Sequence, residues 1–287
     1  MRERLIAFTT RIIGTPRVAL ARRVLDRFGA VDGGLLAAGI AYNAVLALIP
    51  LALLATGFAG VILSDPASRA DLVRVLAGVM PPLAGVVDEI VAGLSRASPS
   101  ISLVGLVLAA WGTSRLYAAL EAAIALLDPS VPRRSLIRRT ARRLGSIAVI
   151  AVVVLATLAA APLLAIAVEV SDASAGLRPL LDALLAFVPP VLGAAALAAV
   201  YRLVPAARPS WRSIAVPAVV GSVALVVVTR VFVFVAPRVF GANLVYGTLG
   251  ALLVGLTWLD LAFTVVLLGA AWVGEREVAR EGTAGAG

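Results

Sequence analysis

The feature that most constrains this chain is residues 33–63, a run of 31 residues without a charged side chain. As a straight helix this run would extend about 46 Å, beyond the roughly 30 Å hydrocarbon core of a bilayer. It therefore predicts a membrane-spanning helix that tilts, bends or extends past the bilayer. Pro50 lies near its middle and removes one backbone donor, so the bend is predicted there.

The composition extends this prediction to the whole chain. Hydrophobic residues make up 61% of it, against about 45–50% in soluble domains, and the mean hydropathy is +1.04. With only 14% of charged residues, a soluble chain could not cover its hydrophobic core with polar surface. Aromatic residues are few, and the apolar runs are far longer than the roughly ten-residue strands of a membrane barrel. The expected fold is an all-α, polytopic membrane helical bundle.

The apolar runs predict a transmembrane domain over residues 33–273, with about six transmembrane helices. A basic segment, residues 1–32, precedes it and is expected to be an amphipathic, interfacial helix. Two further amphipathic helices are expected in the outer segment 64–100. The charged tail, residues 274–287, is predicted to be cytoplasmic and disordered. The six spans are predicted at about 33–63, 101–127, 145–168, 180–203, 213–236 and 246–273, with helix kinks at Pro50, Pro162, Pro189, Pro190 and Pro217.

The arginines predict the orientation. All 25 basic residues are arginine. If the chain has six spans, eighteen arginines lie on one side of the membrane, five lie on the other, and two lie inside the spans. Because basic loops stay in the cytoplasm, both termini are predicted to be cytoplasmic. The arginine usage and the abundance of alanine and glycine are typical of a bacterial gene rich in G and C, which predicts the bacterial cytoplasmic (inner) membrane.

The composition also excludes several chemistries. The chain has no cysteine and no histidine, which removes thiol nucleophiles, Cys/His zinc sites and an imidazole base. No nucleotide-binding or Ser-triad motif is present. We therefore expect no catalytic site, no metal and no cofactor. The net charge of +9 lies at the ends of apolar runs, which favours membrane lipids over nucleic acid as partners. A homo-oligomer is possible in principle, and the sequence leaves this open.

Ionisable residues inside the predicted spans are the candidate site residues, because charge in the bilayer is costly. Four qualify: Arg115 and Glu121 in the second span, Arg230 in the fifth and Asp260 in the sixth. Arg115 and Asp260 are each 14 residues from the outer start of their span, about 21 Å deep. The hypothesis is an Arg115–Asp260 ion pair in the inner half of the bilayer, either functional or serving only helix packing.

The other candidates have simpler alternatives. Arg230 can extend to the outer head groups, and Glu121 can face cytoplasmic water or the loop arginines. Tyr42 and Asn43 precede Pro50 in the first span. The Asn43 amide needs a partner in lipid, which is either a neighbouring helix or a polar cavity.

Two predicted spans carry recognisable motifs. The first span has Gly-Ile-Ala-Tyr-Asn at 39–43, followed by Pro50, and the second has Gly-Thr-Ser-Arg-Leu at 112–116. These motifs resemble the YihY/BrkB family of bacterial inner-membrane proteins. The resemblance spans roughly residues 30–275, with departures at four positions. Further matching residues are Glu121, Pro205, Arg208, Trp211, Arg212, the run 246–250, Trp258, Gly269 and Ala270, and the departures are Asn43, Ala47, Asp260 and Ala271.

The resemblance implies a polytopic membrane protein linked with serum resistance, envelope lipid export or cation/proton exchange. An older ribonuclease label fits this chain poorly, because no histidine or carboxylate cluster is present to bind metals or act as a base. The favoured function is therefore a transporter of lipid or another amphiphilic envelope compound. Two alternatives remain: a cation/proton exchanger centred on Asp260, with Glu121 as a second carboxylate, and a non-transporting envelope scaffold.

Overall fold

The structure, a computed structural model, describes residues 16–62, 100–127, 178–205, 208–240 and 247–284. These residues form helices and no strands, which confirms the all-α prediction. The third predicted span with Pro162, the basic loop 128–143, and residues 64–99 of the outer segment lie outside the described residues. The helices are α1 (Pro16–Ala30), α2 (Gly33–Ile62), α3 (Ser100–Leu127), α4 (Arg178–Leu203), α5 (Trp211–Phe240) and α6 (Gly247–Ala284).

Two described helices are long and apolar enough to cross a membrane. They are Trp211–Ala236 within α5 and Leu252–Gly282 within α6. A third crossing is counted if Val18–Ala30 and Gly33–Ala47 are taken as one bent span. α2, α3 and α4 coincide with other predicted spans, but the count of six stays a prediction.

The described bend in the first helical region lies between α1 and α2. The two helices meet at 65°, and Asp32 at the junction adopts a positive φ of 51°. Aspartate tolerates this left-handed conformation better than most residues. The Asp32 amide donates to Gly29 O at 3.1 Å, and Asp32 O accepts from the Leu36 amide at 3.1 Å. α2 itself continues as helix through Pro50.

α4 runs as one helix through Pro189 and Pro190, and the kinks predicted at these two residues stay predictions. At the same level Ser222 Oγ of α5 donates to Pro190 O at 2.6 Å, and this hydrogen bond joins α4 to α5. Pro217, by contrast, is fully buried within α5.

α6 lies between two helix pairs, and the described core forms around it. α2 packs on α3, α4 packs on α5, and α6 contacts α2 and α5 most extensively. Tyr201 of α4 is 1% exposed, and its hydroxyl donates to Val266 O of α6 at 3.0 Å. Gly269 contributes no side chain here, and a Cβ at this position would overlap the Tyr201 hydroxyl. The two pairs are thus joined chiefly through close contacts with α6.

The disorder predicted for residues 274–287 is wrong as far as Ala284, because α6 continues to that residue. Contacts with α1 stabilise this extension. Glu275 Oε2 lies 3.1 Å from Arg23 Nε, and Glu275 Oε1 lies 3.3 Å from Arg27 Nη1. Since Glu275 is only 14% exposed, this carboxylate ties the N-terminal helix to the C-terminal helix at one end of the bundle.

The same extension also holds the turn between α4 and α5. Glu277 Oε2 accepts from the amide and the hydroxyl of Ser210, each at 3.4 Å. Arg276 Nη2 donates to Arg212 O at 3.0 Å, and Arg280 donates to the Ser210 hydroxyl. The last turns of α6 therefore link α1 and the α4–α5 turn, a junction that hydropathy alone does not reveal.

The two arginines on Glu275 should contribute unequally to stability. Arg27 is 21% exposed and Arg23 is 56% exposed. We expect Arg27→Gln to cost about 1–3 kcal/mol, because it leaves a largely buried carboxylate poorly satisfied. Arg23→Gln should cost less than about 1 kcal/mol, as for exposed ion pairs. Thermal unfolding in detergent, with the 79% exposed Arg22 changed to Gln as control, measures both. Equal losses for the two would contradict this ranking.

Candidate functional site

Three of the candidate residues, Arg115, Asn43 and Asp260, lie at one level of the bundle, where α2, α3 and α6 pack together. α2 and α3 run antiparallel, and Gly112 lies against Ala47: an added Cβ would be 2.8 Å from Ala47 Cα. One turn away, the same register places Arg115 beside Asn43. Leu259 of α6 forms a buried cluster with Ala41 and Ala44 of α2. Arg115, Asn43 and Asp260 therefore lie at a similar level along the bundle, and the depth predicted for Arg115 and Asp260 in the bilayer stays a prediction.

Two neighbours hold the Arg115 side chain. Arg115 Nε donates to Asn43 Oδ1 at 3.3 Å, and the guanidinium carbon lies 5.2 Å from the centroid of the Trp111 ring. Asn43 is itself oriented, because its Nδ2 donates to Gly39 O at 2.8 Å. This assigns the amide oxygen to Arg115. The interpretation of Asn43 as a helix–helix hydrogen-bonding residue is thereby supported, and Asn43 also positions a charged group.

The guanidinium is exposed on the described part of the bundle. Asn43 occupies Nε and Trp111 lies against the guanidinium, and no described residue bonds to its two terminal nitrogens. Those nitrogens form a planar donor fork that matches carboxylate or phosphate oxygens. The face around the fork is apolar and aromatic: Trp111 is 51% exposed and Tyr42 56%.

The predicted Arg115–Asp260 ion pair is not formed, so this hypothesis is wrong. No contact within 4.0 Å joins the two side chains, and Arg115 bonds to Asn43 instead. Asn43 is on α2, which packs closely on α3, whereas α6 contacts α3 less extensively. Asp260 is half-buried, and its Oδ1 is buried without a hydrogen-bond partner among the described residues.

The remaining candidates are not joined to Arg115 by a described contact. Glu121 is half-buried further along α3 and takes part in an interaction of its own. Arg230 of α5 is exposed and follows Thr229, whose Oγ1 accepts from Trp258 Nε1 at 3.2 Å. Since Trp258 is two residues from Asp260, Arg230 lies about one turn from the level of Asp260.

Sequence reasoning missed the supporting roles of Trp111 and Thr229. Trp111 precedes Arg115 by four residues, a spacing that places two side chains on one helix face, so this contact was available in the sequence. The Trp258–Thr229 bond depends on the register between α5 and α6, for which the sequence carries no comparable signal.

A cavity of about 120 Å³ lies at the end of the bundle where α6 extends beyond the predicted end of the sixth span. Its floor includes Ile124, Tyr201 and Val273, and its charged rim includes Arg208 and Glu277. It contains none of the predicted site residues. Among the described residues, no group of three acidic, histidine or cysteine side chains is placed to bind a metal ion.

Comparison with known proteins gives one family. The family model described as Virulence factor BrkB matches residues 24–286. No curated protein and no solved structure matches.

The close approach at Gly112 should control the geometry of Arg115. Gly112→Ala places a methyl group against the Ala47 backbone, which cannot yield without separating α2 from α3. We expect a loss of about 1–3 kcal/mol, as for overpacked cores. Gly39→Ala is the matched control, since an added Cβ meets nothing within 4 Å and alanine favours helix. Thermal unfolding in detergent measures the stability of both variants. Equal unfolding midpoints would contradict the predicted overpacking between Gly112 and Ala47.

Proposed function

This chain belongs to the Virulence factor BrkB family, and from that premise we propose that it is a bacterial inner-membrane transporter of a lipid or another amphiphilic anion. In this proposal Arg115 binds the head group, while the acyl chains stay in the surrounding lipid. The proposal includes no catalytic step and no cofactor. Its wider basis is an all-α membrane protein whose helices are apolar along most of their length.

The observation that carries the proposal is the exposed, oriented guanidinium of Arg115 within a predicted span. Burying an arginine at mid-membrane costs about 2.5–3.5 kcal/mol on insertion scales. Here the charge is not neutralised by Asp260. Asn43 and Trp111 hold the guanidinium, and no described residue bonds to its two terminal nitrogens. An anionic head group would supply the missing countercharge and accept a bidentate hydrogen bond.

The proposed orientation has both termini in the cytoplasm. The Glu275 contacts bring the N-terminal and C-terminal helices together at one end of the bundle. That end also carries the arginines of the α4–α5 turn, and arginine-rich ends are retained in the cytoplasm. Arg115 then lies in the inner half of the bilayer, where it is accessible to head groups from the cytoplasmic leaflet.

Transport of a labelled lipid in proteoliposomes tests the proposal. The probe is fluorescent phosphatidylglycerol, and the measurement is the rate at which an external reductant bleaches inner-leaflet probe. Arg115→Ala should slow this rate at least about ten-fold, because it removes a charge-assisted bidentate contact. Arg115→Lys should retain part of the rate, since it keeps the charge without the planar fork.

Arg238→Gln is the matched control for charge. Arg238 lies near the end of α5, where it stacks on Phe234 and donates to its carbonyl. This variant should transport at the unmodified rate. An Arg115→Ala protein that folds, as judged by its unfolding midpoint, and still moves the probe as fast as the unmodified chain would overturn the head-group role.

Asp260 supports a second candidate function, cation/proton exchange. Its Oδ1 is buried and has no hydrogen-bond partner among the described residues. Proton-coupled carriers use intramembrane carboxylates of this kind. If exchange is the function, Asp260→Asn should abolish cation-driven pH changes in vesicles that contain a pH-sensitive dye. Under the lipid proposal the same variant should leave probe movement within about two-fold, because Arg115 does not contact Asp260. If Arg115→Ala and Asp260→Asn both keep both activities, the result would favour a non-transporting scaffold.

A further inference from the structure

We infer that the exposed face of α1 docks on an anionic lipid leaflet, and that Glu275 competes with lipid phosphates for the arginines of this helix. The partner is therefore the head-group layer of negatively charged phospholipids. This inference does not depend on transport or on Arg115.

The angle between α1 and α2 orients α1 along the membrane surface. α2 coincides with a predicted span, and membrane helices are tilted by about 20° on average. A 65° bend at the junction then places α1 closer to the membrane plane than to its normal. The four arginines and one aspartate of its sequence also make α1 costly to insert across the hydrocarbon core.

The faces of α1 fit this surface orientation. One face packs on the core through Val24, with Leu20 and Phe28 beside it. An adjacent face is apolar yet exposed: Leu25 is 59% exposed and Val18 is 37% exposed. Side chains of this kind next to arginines are typical of helices that bury one face at the head-group boundary.

The polar face of α1 presents more positive charge than the described residues neutralise. Arg22 is 79% exposed, and its Nε is 3.8 Å from Asp26, which is equally accessible to water. Such a pair is weak in solvent. Arg23 and Arg27 share the single carboxylate of Glu275, so one positive charge on this pair is left without a counterion from Glu275.

Glu275 and the leaflet therefore compete chiefly for Arg23. Arg27, at 21% exposed, is enclosed between the helices, whereas Arg23 is 56% exposed and contacts Glu275 through Nε alone. In an anionic leaflet Arg23 can turn to a phosphate while Arg27 keeps α1 attached to α6. In a neutral leaflet Glu275 retains both arginines. The contact of α1 with the membrane thus depends on leaflet charge.

Accessibility of a single cysteine at position 25 tests this inference in the full chain. The sequence contains no cysteine, so Leu25→Cys provides one reactive thiol on the exposed apolar face. The measurement is the rate of reaction with an uncharged, membrane-impermeant maleimide in nanodiscs of phosphatidylcholine, with or without phosphatidylglycerol. We expect phosphatidylglycerol to slow labelling several-fold, about five-fold per arginine engaged, and added salt to reverse the effect.

Three variants in the Leu25→Cys background identify the groups responsible. Arg22→Gln with Arg23→Gln should abolish the difference between the two nanodiscs, and Glu275→Gln should enlarge it by releasing Arg23. Arg212→Gln, an exposed arginine on α5 at the same end, should leave it unchanged. Val278→Cys, on an exposed position of α6, reports any general effect of surface charge on the reagent.

Three outcomes would overturn the inference. The first is an equal labelling rate of Leu25→Cys in both nanodiscs, and the second is a difference that persists in the Arg22→Gln, Arg23→Gln protein. The third is a difference that appears equally at Val278→Cys, because the effect would then belong to the membrane surface rather than to α1. Activity of the transporter does not enter any of these measurements.

Discussion

The packing of α6 between two helix pairs is the constraint on which the rest of the described bundle depends. Few residues with side chains larger than a methyl group can occupy the points where the helices approach most closely. Tyr201 fits against α6 because Gly269 leaves room for its ring, and Leu259 packs between two alanines of α2. Lipid does not drive helices together as water does, so close packing of small residues and interhelical hydrogen bonds supply the attraction. The positions of the polar groups follow from these contacts.

The polar groups inside the bundle are arranged by helix register rather than by mutual attraction. Arg115 bonds to a neutral amide while a carboxylate at similar depth is left without a described partner. Closing an ion pair would neutralise both charges and remove their ability to bind anything else. Separation keeps the cationic fork and the carboxylate individually available. This separation supports the proposed binding role of Arg115 over a purely packing role.

Much of the fold could be predicted from the sequence, because length, hydropathy and the absence of charge over long runs are local properties. α2, α3 and α5 begin and end within about four residues of the predicted spans. The candidate residues were found by their charge, and the equal depth of Arg115 and Asp260 followed from counting residues. The partners were not predictable. Whether Arg115 meets Asn43 or Asp260 depends on which helices are adjacent, and the helical state of residues 274–284 depends on Glu275 finding two arginines of a distant helix.

Arg23 and Glu275 are 252 residues apart along the chain, and Arg27 is four residues closer to Glu275. At about 5–20 residues per second, synthesis separates them by on the order of 10–50 s. During that interval α1 carries its positive charges without the carboxylate that later holds it, so the anionic membrane surface can bind these arginines first. Because Glu275 follows α1 to α5 in the chain, its contacts with Arg23 and Arg27 can form only after those helices have been synthesised.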